Sequence, residues 1–129
     1  MRRANDLFGV ASAMPADSIA VAAFRQLDQL MARTRSMLTP NAALVRQFLR
    51  DHADLLDCVV PANSMCVFPR LRHLADSEPL HDQLRALETS IVPGKFFENP
   101  QHFRLGFAVK TADVAQGLRH VSAVLRSLH

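Results

Sequence analysis

Between Asp17 and about Leu38 the apolar positions Ile19, Ala23, Leu27, Leu30, Met31 and Leu38, with Thr34 in the same stripe, recur every three or four residues. Arg25, Gln26, Arg33 and Arg35 fall between them. One side of a 3.6-residue repeat is thus apolar, which predicts a long amphipathic helix. Thr39-Pro40 restarts the pattern. Threonine is a good N-cap, and proline fits the first helical position, where its missing N–H has no partner to lose. A second helix is expected from there to about Ala53, with Leu44, Val45, Phe48 and Leu49 on its apolar side.

The period then changes. Leu56-Asp57-Cys58-Val59-Val60 and Met65-Cys66-Val67-Phe68 are short β-rich runs on either side of Pro61-Ala62-Asn63-Ser64, a turn-forming segment, so two strands are expected. After a polar connection from His73 to Pro79, Leu80, Leu84 and Leu87 predict a third helix from about Glu78 to Glu88. Ser90-Ile91-Val92 runs into Pro93-Gly94, the pair a type II turn favours, because proline presets φ and glycine accepts a positive one. From His102 to Ala108 the alternation is strict: Phe103, Leu105 and Phe107 share one face, and His102, Arg104, Gly106 and Ala108 the other. That is the clearest strand. Thr111 is expected to cap a closing helix with Val114, Leu118, Val121, Leu125 and Leu128 on its apolar stripe. The order predicts an α/β fold of the α+β two-layer sandwich kind, a small mixed or antiparallel sheet packed by helices.

Composition narrows this. The 129 residues suit a single domain, with 1–15 as an irregular lead-in and 17–38 as a long linking helix. A hydrophobic share of 49% and a charged share of 21% exclude a disordered or fibrous chain. No apolar run reaches the roughly 20 residues of a membrane helix, and Asn5 and Asp6 break what would be a signal peptide's apolar core. A cytoplasmic protein without a membrane partner is expected. Cys58 and Cys66 show no CxxC spacing and read as buried thiols. His52, His73, His81, His102, His120 and His129 include no i, i+4 pair and no clustering with carboxylates, so no metal site is expected. Of 15 basic residues only Lys95 and Lys110 are lysines. The arginines are dispersed over several polar helix faces, with no Trp or Tyr interleaved, which argues against nucleic acid as a partner.

Arg104 carries the chemistry of most interest. Beside the small Gly106, its guanidinium could offer a two-pronged fork to a carboxylate, or it could be no more than the solvated side of an edge strand. Spacing alone leaves both open.

The last forty residues, I-V-P-G-K-F-F, then H-F-R-L-G-F-A, then T-A-D-V-A-Q-G-L, resemble the C-terminal small domain of class I/II aminotransferases, the fold-type-I enzymes that use pyridoxal phosphate. There a Pro-Gly turn and a phenylalanine-bearing loop precede a strand with an H-x-R-L-type signature, and the last helix follows. Arg33 and Arg35 resemble the family's R-x-R segment, Asn41 the start of its next helix, and Met65–Phe68 part of its two-strand unit. The resemblance implies that Arg104 binds the α-carboxylate of an amino acid or 2-oxo acid, and that Gly94, Phe96 and Phe97 lie at the mouth of the site. It also implies homodimeric enzymes that close over substrate. Asn63-Ser64-Met65 stands where family members often carry glycine, a departure on the substrate side.

The resemblance equally shows what is missing. Neither Lys95 nor Lys110 lies in the family's S-x-x-K context, and the acidic residue and phosphate ligands of the cofactor site have no counterpart. Pyridoxal phosphate belongs to the intact family, no bound cofactor is expected on this chain, and no catalytic residue is assigned. The expectation is a fragment that lacks the catalytic large domain and is inactive alone. The alternatives are a non-catalytic interaction module that pairs with a separately encoded large domain, with apolar surface around Phe8, Val10, Phe96 and Phe97, or a piece of a related lyase or synthase.

Overall fold

Helices α1 (Met14–Arg25) and α2 (Leu27–Asp51) follow one another with only Gln26 between them, in a computed structural model that describes residues 14–128. The expected restart at Thr39-Pro40 does not occur. Helix α2 runs straight through Pro40, and the interruption falls at Gln26, whose N–H bonds the Ala23 carbonyl at 3.0 Å. A proline inside a helix removes one backbone bond and crowds the preceding turn. Pro40 is exposed, so that disturbance faces water, while the next residue is pinned from outside the helix. Asn41 is fully buried and its Nδ2 donates to the carbonyls of Phe107 at 2.7 Å and Val109 at 2.8 Å. Asn41 therefore lies inside a helix rather than starting one.

The chain divides into two compact units between Arg35 and Ser36. In the first, no residue of α1 is buried, and Ile19, Leu27, Leu30 and Met31 of the predicted stripe are exposed. The helical period is real, but it does not mark a buried face. Phe8 and Val10, like most of the expected 1–15 lead-in, lie outside the described residues.

The second unit holds the core. Its strands are β1 (Leu56–Asp57), β2 (Cys66–Val67), β3 (Arg70–Leu71), β4 (Val92–Pro93) and β5 (Phe103–Gly106). They form two antiparallel sheets, β1–β3 and β2–β5–β4, joined by a bridge between Arg70 and His102. The runs at 56–60 and 65–68 are strands only over two residues each, and they pair with β3 and β5 rather than with one another. Helix α3 (Glu78–Ala86) stops short of Glu88, which takes a left-handed φ of 51°. Helix α4 (Thr111–Ser127) begins one residue earlier than expected. Lys110 is its cap, accepting the N–H groups of Asp113 and Val114, and Thr111 is already helical.

Strand β5 keeps the alternation read from sequence: Phe103, Leu105 and Phe107 are buried, Arg104, Gly106 and Ala108 exposed. The buried three pack into one cluster with Val45, Phe48 and Leu49 of α2, Leu80 and Leu84 of α3, and Val114, Leu118, Val121, Val124 and Leu125 of α4. Each such side chain contributes roughly 1.5–3 kcal/mol on burial. The sheet thus has one face sealed by helices and the other presenting Arg104.

Candidate functional site

Arg104 projects from the open face of β5, opposite Val92 of β4. Its Cζ lies 5.6 Å from the centroid of the Phe97 ring. Phe97 meets Phe68 edge-on at 5.3 Å, and Phe68 stacks on His102 at 4.8 Å with 17° between the planes. Four planar groups from three segments therefore line one strip of this face. Among the described residues no carboxylate lies within ion-pair distance of Arg104. Next along the strand, a methyl group placed on Gly106 would meet no described atom within 4 Å. Internal packing does not ask for glycine there, and the space before the guanidinium is open.

The loop that supplies Phe97 is not the type II turn expected at Pro93-Gly94. Pro93 has the anticipated backbone angles (φ −57°, ψ 143°), but no described glycine has a positive φ. Gly94 instead opens a 3₁₀ turn, Gly94–Phe97, and the left-handed position falls at Glu98 (φ 58°). Glycine is required for a different reason: a Cβ at position 94 would collide with the backbone carbonyls of Asn99 and His102. The Gly94 N–H bonds the His102 carbonyl at 2.8 Å and lies 3.2 Å from Ser77 Oγ, a fully buried hydroxyl within what reads as a polar connection. Sequence reasoning missed Ser77 because its role depends on a partner 17 residues away.

Of the expected mouth residues, Gly94 is buried, Phe97 is 40% exposed and Phe96 is 69% exposed. Lys95 lies 5.3 Å from the Phe96 ring centroid. Its Nζ donates to Glu78 Oε2 at 2.8 Å, and that bond holds the ammonium above its usual lysine range. At the departure Asn63-Ser64-Met65, Ser64 Oγ bonds the backbone N–H and carbonyl of Cys66, closing a tight local turn without glycine.

Two histidines serve the fold. His52 is buried on Phe48, bonding its carbonyl through Nδ1 and Ser122 Oγ through Nε2, both at 2.8 Å, so it fastens α2 to α4. His120 Nδ1 lies 2.7 Å from Thr89 Oγ1. Both cysteines are free and half-buried, not buried outright. Burial pushes the Cys58 thiol up, opposed by a hydrogen bond with the Phe68 backbone and reinforced by Asp57. No helix of the described residues is long and apolar enough to cross a membrane.

No protein-family model matches the chain. Over 110 residues it is 26% identical to capreomycidine synthase of Streptomyces vinaceus, covering 84% of this chain and 28% of that enzyme. A PLP-dependent aminotransferase from Streptococcus suis matches over 99% of this chain and 34% of its own length, with a TM-score of 0.76 and 26% identity. The PLP-dependent cyclase OrfR matches over 98% of this chain and 35% of its own, with a TM-score of 0.79 and 25% identity. The chain resembles a small domain of PLP-dependent aminotransferases. The chain spans about a third of the length of these relatives, and its mixed fold of helices around small antiparallel sheets agrees with theirs.

Proposed function

We propose that this aminotransferase small domain is the substrate-carboxylate-binding part of a pyridoxal-phosphate-dependent class I/II aminotransferase, with Arg104 taking the α-carboxylate of an amino acid or 2-oxo acid. The observation that carries this reading is the uncommitted Arg104 guanidinium on an open sheet face beside Gly106. Two parallel N–H bonds from a planar fork fix a carboxylate's position and its rotation, so one end of the substrate is held and what remains for the reaction is largely orientation already achieved. Phe96 and Phe97 stand beside it as the mouth of the site.

The cofactor itself does not fit on the residues of this chain. A lysine that forms an imine must first be a free amine, whereas Lys95 is held charged by Glu78; Lys110, which caps α4 through its backbone carbonyl, is exposed at the start of that helix with no described hydroxyl, acidic or phosphate-binding set around it. In this reading the Schiff-base lysine and the phosphate ligands come from a large domain, and the small domain alone does not transaminate.

Arg104→Ala, measured with the chain assembled with such a large domain, is expected to raise KM for carboxylate substrates by about ten- to a hundredfold, the worth of a charged hydrogen-bonded pair. An unchanged KM would sink the assignment. With equimolar pyridoxal phosphate, borohydride should label Lys95 and Lys110 of the pure chain no more than it labels a lysine in an unstructured peptide; selective, stoichiometric labelling of one of them would show that the chain holds the cofactor.

A second reading is favoured by two of the relatives, a synthase and a cyclase: the assembled enzyme performs another fold-type-I reaction on an amino acid. The carboxylate fork serves it equally, and product analysis of the assembled enzyme separates the two.

A further inference from the structure

Resting on the Arg104 reading, we propose that Phe97 is a positioning residue for that arginine: its ring, braced by Phe68 and His102, takes the face of the guanidinium and leaves the N–H fork aimed out of the sheet for a carboxylate.

A guanidinium has two distinct surfaces. Its flat face accepts an aromatic ring, while its edge carries the donors that meet a carboxylate in plane. Arg104 has Phe97 at 5.6 Å and no carboxylate partner among the described residues, so the ring contact is the restraint found on a side chain that otherwise loses much rotamer freedom when it binds. The restraint is itself supported. Phe68 meets the Phe97 ring edge-on and is stacked in turn on His102, which immediately precedes β5, two residues from Arg104. The Phe97 backbone is set by the 3₁₀ turn, whose first residue bonds the His102 carbonyl. Both ends of the strip are therefore tied to β5, and a long flexible side chain is held by a short, closed set of rings. A side chain ordered before its ligand arrives binds more tightly than one ordered by it.

The test uses the ¹⁵N-labelled full chain, the Nε–Hε resonance of Arg104 and sodium pyruvate as the carboxylate probe, with sodium chloride at equal ionic strength as control. In the unsubstituted protein the Arg104 Hε should show the ring-current shift of a nearby aromatic face, a restricted Nε, and movement on pyruvate addition. Phe97→Leu should abolish the ring-current shift, loosen Nε and weaken pyruvate binding about two- to fivefold, the size of an exposed cation–π contact. Phe97→Tyr, which keeps the ring, should restore all three. Phe68→Leu, which removes only the brace, should act in the same direction with a smaller effect and covers the case in which Phe97→Leu fails to give a native amide spectrum. Unaltered Arg104 shift, order and affinity in Phe97→Leu overturn the positioning role. If pyruvate leaves Arg104 unmoved in the unsubstituted protein, the carboxylate reading fails instead, and the shift and order in Phe97→Leu still decide whether the ring holds the arginine.

Discussion

Two glycines of the site region do opposite jobs, although both are the smallest residue in a loop or strand. At position 94 an added methyl strikes two backbone carbonyls, neither of which can swing aside as a side chain would. Gly94→Ala is expected to cost about 3 kcal/mol or more and to lower Tm by about 10 °C or more, read by thermal unfolding. Gly106→Ala meets nothing, so its stability should change by less than about 1 kcal/mol while carboxylate binding beside Arg104 suffers. A third residue carries a pH signature. Burial first, and Asp57 in addition, hold the Cys58 thiol protonated past the ordinary value of 9.0. The folded state keeps that proton longer than the unfolded one, so the contribution to stability is complete below the ordinary value and is lost as pH rises through the raised one. Iodoacetamide should accordingly alkylate native Cys58 more slowly at pH 8 than the same cysteine in urea, measured by mass spectrometry.

At the scale of elements, the junction between α2 and the end of β5 decides the course of the chain around Pro40. Asn41 donates to two carbonyls that no strand partner serves, and Asn41→Ala should cost about 2–4 kcal/mol by leaving buried acceptors unpaired. Asn41→Asp should cost more, since it sets an acceptor against acceptors, and urea denaturation ranks the two. The same junction explains what could and could not be read from sequence. Strand β5 and helix α4 were legible because their apolar periods of two and 3.6 coincide with their buried faces. Thr39-Pro40 misled because a good local helix start was overridden by a side-chain bond to residues far along the chain. Strands of two residues are too short to leave a period at all, which is why β3 is invisible in the sequence and the runs at 56–60 and 65–68 predict strands longer than the two residues each that form. Alternation places Arg104 on the open face, whereas Phe97 is brought near it only by the family resemblance, because its ring contact depends on a 3₁₀ turn that Pro93-Gly94 does not announce.

For the whole molecule, the buried apolar cluster is drawn entirely from residues 45–125, all within the second compact unit. A chain beginning at Ser36 should therefore unfold cooperatively with a Tm within a few degrees of the full chain, followed by circular dichroism. A loss of cooperativity would mean that the first unit contributes to that core. The first unit shows the converse: residues 14–35 are helical without burying the face their pattern advertises, so amphipathic spacing there reports a surface rather than an interior.

The contrast between the two glycines also predicts how this domain tolerates genetic change. Every amino-acid-altering base substitution in a glycine codon adds at least one carbon to the side chain, so at position 94 each is a lesion in folding and should vanish from a library selected only for soluble protein. At position 106 the same substitutions should survive that selection and drop out only under selection for turnover by the assembled enzyme. Sequencing the two pools would locate, within one short stretch of gene, where inheritance of the fold stops and inheritance of the site begins.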